Sequence, residues 1–551
     1  MSPHRARGRP YGAPDQNRAN SADAPASSRT AWLLRVNRLH GPEPKWVALT
    51  AFAQAFPGGL WTGDVSTSTV SRWERGRTDV PIMAVRRYEE MLRLTHSSLS
   101  STVDMLNRYA NGVVRSHQLT PRRARRPASG AQRTRALLER ALGDALMGGA
   151  EWDEFTASLA AYPAPLRADS DWSALAERLV METLLSEGVP WRLRHESLSR
   201  LLTHPAARPA MVSACLDWAR DGSSPPLIEA MSLLDASSHP DAAAGVLGQL
   251  EHPSTDKAHL GALLACVRKV PLGHFSDRQL RRVALVTAEL LHQHDELHVQ
   301  TGELAASVLR GLPPGAVPAS VRSAVRRLPS ARTGRPPSPH RDVADRVALT
   351  AVSGMPRQTP QYEEVLLPAL LAEVLFGSQP DERIFTAMLI ASTPYRPRVA
   401  ASLAHELARM PVARDPELAT RILSALASLG GPDERPLVQS LVLSPSLPGE
   451  VVSGAADALG HMRGRSPDPF WRAALHPRRT GTAPDLPKQS PRHVPNELLY
   501  ALGVDSRTSL LREVSDDPGL SAQVRARARW WIDVPVHVRE SVTRHRDDHT
   551  A

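Results

Sequence analysis

Apolar residues recur three and four positions apart over most of the chain, and no segment alternates with the period of a strand. Val321, Ala324 and Leu328 share one stripe, as do Val399, Leu403 and Leu407, and then Val452, Ala455 and Leu459. From about residue 136 to 533 this pattern breaks into short amphipathic stretches divided by Pro, Gly or Ser. Examples are 172–186, 191–203, 210–220, 226–237, 241–251 and 277–293. Proline stands near the start of many such stretches, at Pro190, Pro209, Pro226, Pro240, Pro416 and Pro432. In a first helical turn its missing N–H costs nothing. A single helical hairpin cannot bury its apolar stripe, so neighbours must stack. The expectation is an all-α chain whose body, 136–533, is a long helical repeat (an α-solenoid of HEAT or tetratricopeptide type) with irregular repeat length. A globular helical bundle is the alternative that the same pattern allows.

The first hundred residues differ. Residues 1–29 lack periodicity and read as a disordered basic tail. Residues 30–110 hold several short helical patterns. In 31–40, capped by Thr30, Trp32, Leu33, Val36 and Leu39 share a side. In 46–56 the apolar residues are Leu49, Phe52, Ala53 and Phe56, and a later stretch buries Ile82, Val85, Tyr88 and Leu92. A fifth pattern covers 97–109. Between these lies the phrase VSTSTVSRWERGR, 65–77. Ser66 is a natural N-cap, since its hydroxyl can accept a free N–H of the first turn. Gly76 can take the left-handed conformation that ends a helix. The nine residues between them place Val70 and Trp73 on a core face. Thr67, Ser68, Ser71, Arg72 and Arg75 lie towards the other side. A compact bundle whose third helix is short, polar and basic has helix-turn-helix geometry, and such a helix can enter a major groove. Residues 111–135 form a basic linker containing Arg122, Arg123, Arg125 and Arg126, and 534–551 read as a C-terminal tail. Loops are expected near 329–340 and 476–495.

Charge sharpens this division. Residues 1–140 carry 23 Lys+Arg against 10 Asp+Glu, whereas 141–551 carry 44 against 47. The basic excess sits at one end, which points to a polyanion there and a near-neutral body. Apolar residues make up 42% and charged residues 23%, which excludes a wholly disordered chain. Two cysteines, Cys215 and Cys266, exclude a disulfide framework and read as small buried hydrophobes. No apolar run is long enough to cross a bilayer, and the arginine-bearing start has no apolar core of a secretory signal. The expectation is a cytoplasmic, nucleoid-associated protein with no membrane partner.

Residues 31–94 resemble the Cro/C1-type (xre) helix-turn-helix family of bacterial DNA-binding regulators. The carrying motifs are Leu49-Thr50 with Phe52-Ala53, then Val65-Ser66 and Thr69 to Gly76. The resemblance implies double-stranded DNA as partner, with base contacts from Thr67, Ser68, Arg72 and Thr78. It implies phosphate contacts from Lys45, Ser71, Arg75 and Arg77, with Lys45 at the start of the second helix. A reader of so few bases is expected to act as a homodimer on a palindrome. The chain departs from the family in two places. Residues 57–64 lengthen the turn between the second and third helices, and Ala51 stands where glutamine commonly follows Leu-Thr.

Other chemistry is sparse. Gly58 and Gly63 have P-loop spacing, but Asp64 follows where lysine is required. His405-Glu406 lacks the second histidine of a zincin, and no Gly-x-Ser-x-Gly elbow occurs. His292, His294, Asp295 and His298 form the best metal candidate, read as a solvated polar face. No catalytic residue, metal or cofactor is expected, and the chain is not read as an enzyme. Two readings of function follow. One is a sequence-specific transcriptional regulator whose repeat body senses a signal or binds a protein or peptide partner. The other is a helical-repeat scaffold whose N-terminal module docks to DNA in replication, plasmid or mobile-element maintenance.

Overall fold

A computed structural model describes residues 26–111, 128–161, 169–221, 225, 228–292, 299–321, 338–356, 364–377, 379–476 and 496–547. The basic arginines at 122–126, His294, Asp295, His298 and most of both expected loops lie outside these. Among the described residues the chain is all-α, with one isolated β-bridge, Gly58 to Trp61. No helix there is long and apolar enough to cross a membrane, and no cluster of His, Cys, Asp and Glu can hold a metal.

The N-terminal bundle contains α1 (Ala26–His40), α2 (Leu49–Ala55), α3 (Thr67–Trp73), α4 (Ile82–Met91) and α5 (Ser100–Asn111). Helix α1 begins four residues before the expected cap, and Thr30 is buried within it. The apolar stretch from Trp46 is not one helix. Pro44–Val47 forms a 3₁₀ turn, Ala48 is extended, and α2 follows. The core joins Phe52, Phe56, Val70, Trp73, Val85, Tyr88 and Leu92, all buried.

A buried ion pair crosses this core. Arg38 of α1 donates from Nε and Nη2 to the Glu74 carboxylate at 2.6 Å each. Its Nη1 donates to the carbonyls of Trp46 and Val47, and the Tyr88 hydroxyl donates to Glu74 at 3.0 Å. Burial and the neighbouring Glu74 charge hold the Tyr88 phenol well above its ordinary pKa. A second buried carboxylate, Glu89, accepts the N–H groups of Ser97, Leu99 and Ser100 and so caps α5.

The body is a helical repeat in which each second helix packs on the one before. In its C-terminal half the column runs through Pro416–Leu429, Gly449–His461, Asn496–Val504 and Ala522–Asp533. Two glycines set its spacing. A Cβ on Gly460 would meet the Tyr500 ring at 2.7 Å, and one on Gly503 would meet the Trp531 indole at 2.1 Å. The N-terminal half has its own core, from Leu137 to Val321, and buries Cys215 and Cys266 as expected. Burial pushes both thiols up to about 12. Of 226–237, read as one helix, the described part from 228 holds instead a short helix, Glu229–Ser232, running into a 3₁₀ turn at Leu233–Ala236.

The halves fold back on one another. Arg268 pairs with Asp381 at 3.2 Å, Lys257 with Asp457 at 3.6 Å, and Glu303 with Arg421 at 3.0 Å. Trp218 and Trp530 meet edge to face. The segment read as a C-terminal tail is a helix, Val536–Asp547, with Val538 and Val542 buried. Its Ser541 hydroxyl accepts the Met147 N–H, and its Ser541 carbonyl accepts from the fully buried Arg194. The last helix thus closes the body onto its N-terminal part, at the turn before Gly149–Ala161 and the helices Asp169–Leu184 and Gly188–Thr203.

The bundle and the body share a core, although the sequence reads as two units joined by a linker. Arg29 donates to both Glu373 oxygens and to Thr386, and Trp32 donates to Glu364 at 3.0 Å. Trp32 also stacks on Tyr395, and Asn37 donates to the Ser392 carbonyl at 2.9 Å. From α5, Arg108 pairs with Glu196 at 3.2 Å, and Ser101 accepts from Arg192. Bundle and both halves of the body line a partly open cavity of about 700 Å³.

Two stability outcomes follow. Arg38→Met leaves Glu74 buried and unpaired, and is expected to cost about 3–5 kcal/mol in urea unfolding. Arg38→Met with Glu74→Leu should recover much of that loss. Asp104 on α5 is raised to about 7 by burial, then by the Glu196 and Asp153 charges. A raised carboxyl stabilises fully below its ordinary 3.8 and loses that contribution as pH rises through about 7. Thermal midpoints should fall between pH 4 and pH 8 in part through this group, and Asp104→Asn should flatten that fall and raise the midpoint above about pH 7.

Candidate nucleic-acid interface

Helix α3 is built by its caps. The Ser66 hydroxyl accepts the Thr69 N–H at 3.1 Å, as expected of an N-cap. Gly76 has φ +64°, and its N–H bonds to the Trp73 carbonyl at 3.0 Å. The Arg77 N–H reaches the Arg72 carbonyl at 2.9 Å, which completes a Schellman closure. The regular helix is seven residues rather than nine, with one further turn before Gly76.

Its sides divide as the pattern demanded. Val70 is fully buried and Trp73 nearly so. Ser68, Arg72, Arg75, Arg77 and Thr78 are exposed, while Thr67 and Ser71 are half-buried. Among the described residues the Arg72 guanidinium hydrogen-bonds only to the Thr69 hydroxyl, at 3.4 Å. Between Val65 and Thr78 the one carboxylate is Glu74, and the Arg38 pair draws it inside. The outward side of α3 therefore carries hydroxyls and guanidinium groups alone. Asp64 and Asp79 flank it, both exposed.

Lys45 is placed differently from the sequence expectation. It stands in the 3₁₀ turn before α2, not at the start of that helix, because extended Ala48 intervenes. Its ammonium lies 3.4 Å from Glu43 and 4.6 Å from the Trp46 ring centre. The side chain is 58% exposed, and such surface pairs are weak enough to exchange partners.

The lengthened turn between α2 and α3 is a folded feature. Gly58 and Trp61 exchange both backbone bonds, at 2.6 and 3.0 Å. Gly59 has φ +54°, and a Cβ there would strike Glu90 and Arg87. Arg87 caps the end of α2 by donating to the Phe56 and Ala55 carbonyls. Trp61 then packs edge-on against Phe56 and Trp73, at 5.6 and 5.9 Å between ring centres. The extra residues so turn away and send an aromatic ring back, while α2 and α3 still pack directly.

Sequence reading overlooked Arg38, Glu74, Arg87 and Trp61, the groups that hold α3 in place. A single acid inside a basic, hydroxyl-rich phrase was the available signal for Glu74. No family model, no curated protein and no solved structure matches this chain.

Ser66→Ala removes the cap and is expected to cost about 1 kcal/mol in chemical unfolding. Ser66→Asp should retain most of that stability.

Proposed function

We propose that the chain is a sequence-specific DNA-binding transcriptional regulator. Helix α3 enters the major groove, and the helical-repeat body serves as its sensing or partner-binding unit. The observation that carries this reading is the inward withdrawal of Glu74. It leaves the exposed side of α3 with no acid between two capped ends, so phosphates meet only hydroxyls and cations there. The concentration of basic residues in 1–140 supports the same reading, as does the likeness of residues 31–94 to the Cro/C1-type helices.

The roles divide by chemistry. Arg72 forks onto guanine O6 and N7, a pairing worth about 1–3 kcal/mol of discrimination. Thr67, Ser68 and Thr78 are short and can donate or accept, so they discriminate less. Lys45, Ser71, Arg75 and Arg77 contact phosphates, which sets register and affinity without reading sequence. A homodimer places two copies of α3 about one helical turn apart on a palindrome.

The test begins with the full chain and genomic fragments recovered on it and sequenced. The fragments should share an inverted repeat with half-sites about 10 bp apart. In gel shifts on that site, Arg72→Ala should lose roughly 5- to 150-fold in affinity, and far less on unrelated DNA. Arg77→Ala should weaken both DNAs similarly and lower the log–log salt slope by about 0.9. Equal loss on both DNAs for Arg72→Ala, or no enrichment of any fragment, overturns the reading.

A further inference from the structure

We infer that the cavity between the bundle and the two halves of the body binds a small oxyanion-bearing ligand, held by Arg192, Arg396 and Arg463. The three arginines come from separate parts of the chain. Arg192 lies in the helix Gly188–Thr203 and Arg396 opens the helix Arg396–Leu407. Arg463 follows the helix Gly449–His461. All three line the same cavity, whose volume of about 700 Å³ suits a small organic molecule.

Most charges on the rest of that wall are paired, while Glu229 and Glu497 add negative charge near Lys257. Glu187 lies 3.3 Å from His461, Asp457 lies 3.6 Å from Lys257, and Arg268 bridges Asp235 and Asp381. The three arginines differ. Among the described residues none of them has a carboxylate within ion-pair distance. Arg192 is only 6% exposed and donates to the Ser101 hydroxyl and the Ser98 carbonyl. Arg396 donates to the Gly430 carbonyl at 3.1 Å, and its buried Nε has no acceptor. Arg463 makes no hydrogen bond or ion pair with any described residue.

The carboxylates whose charge acts on Arg192 and Arg396 are committed elsewhere. Glu89 caps α5, and Glu434 accepts the Gly431 N–H at 2.8 Å. Burial, and after it the Arg463 charge, lowers both Arg192 and Arg396 to about 10. Arg463 is exposed, Arg396 half-buried and Arg192 buried, and an anion shared by the three offsets the repulsion of Arg463 on the other two. Their planar forks match the paired oxygens of phosphate or carboxylate. Apolar side chains nearby, among them Trp191, Ile228, Phe385 and Tyr500, can cover the remainder of such a ligand. From the bundle, Asn37, Thr95 and Ser98 reach the same wall.

The experiment uses the full chain without DNA, so its outcome does not depend on the proposed function. Inorganic phosphate, pyrophosphate and citrate are titrated at constant ionic strength, with thermal unfolding and calorimetry as readouts. At least one should raise the unfolding midpoint saturably and bind one per chain. A response to the phosphates or to citrate separates a phosphoryl from a carboxylate ligand. Arg463→Met and Arg396→Met should each weaken binding about tenfold or more. Arg463→Met breaks no internal hydrogen bond, so it should remain folded and raise the ligand-free midpoint by relieving repulsion. Exposed Arg414, outside the cavity, serves as control, and Arg414→Met should bind normally. No saturable binding of any of the three anions, or wild-type affinity in both cavity variants, overturns the site.

Discussion

Helix α1 is the constraint on which the arrangement turns, because it is buried on both sides. Through Arg38 it holds Glu74 at the end of α3. Through Arg29, Trp32 and Asn37 it is fastened to the body. An ordinary amphipathic helix has one face for water. This one has none along most of its length, with Ala31, Trp32, Leu33, Leu34, Val36, Asn37 and Arg38 all buried. Helix α3 is too short to hold its own orientation. It inherits that orientation from α1 through a charge pair, and α1 inherits its own from the body.

The body reaches a closed form by a different route. Apolar stripes stack the hairpins in series, and glycines let the next ring approach, as at Gly460 and Gly503. Series stacking alone leaves two free ends. Here the last helix returns to the N-terminal part of the body through Ser541, Met147 and Arg194. Glu182 neutralises Arg194 at 3.0 Å and also accepts from Arg178 and Trp152, so the closure rests on a paired polar cluster, in which Arg194 Nη1 alone of that guanidinium lacks an acceptor. Closing the series leaves a partly open space whose wall mixes buried polar groups such as Arg192 with exposed ones such as Arg463.

What the sequence made legible was local. Ser66, Gly76, Val70 and Trp73 could be assigned from caps and period, because those choices depend on a few adjacent residues. The same holds for most helix bounds of the body, such as Gly188–Thr203 and Arg208–Arg220, where proline and glycine mark the ends. What stayed hidden was long-range. The partners of Arg29 and Trp32 are more than 300 residues away. The partners of Ser541 are equally remote, so a short helix with a low apolar content reads as a tail. Periodicity says that a face is buried and not against what. For α1 it showed one stripe, since Asn37 and Arg38 look solvated until their distant partners are known. The long 57–64 turn was visible as an anomaly, but its folded form depends on Arg87 and Glu90 from another helix.

The cavity and the proposed DNA face are joined by the same elements. Asn37 lines the cavity wall and the next residue, Arg38, carries the pair to Glu74. Ser98 lies on that wall and its carbonyl accepts from Arg192, while Glu89 fixes the N–H groups around it. A ligand at the three arginines therefore acts on the first turn of α5 and on α1 without long relay. Contact alone does not make a switch: the ligand changes DNA affinity only as far as it binds two arrangements of these helices unequally, and DNA then changes ligand affinity by the same factor. The buried Arg38–Glu74 pair resists partial displacement, because separating it strands two charges away from water. Any second arrangement must keep α1 and α3 together and move them as a unit against the body. The seam for such motion is the contact, apolar as well as polar, of α1 and α5 with the helices Leu366–Phe376, Pro380–Ala391 and Gly188–Thr203.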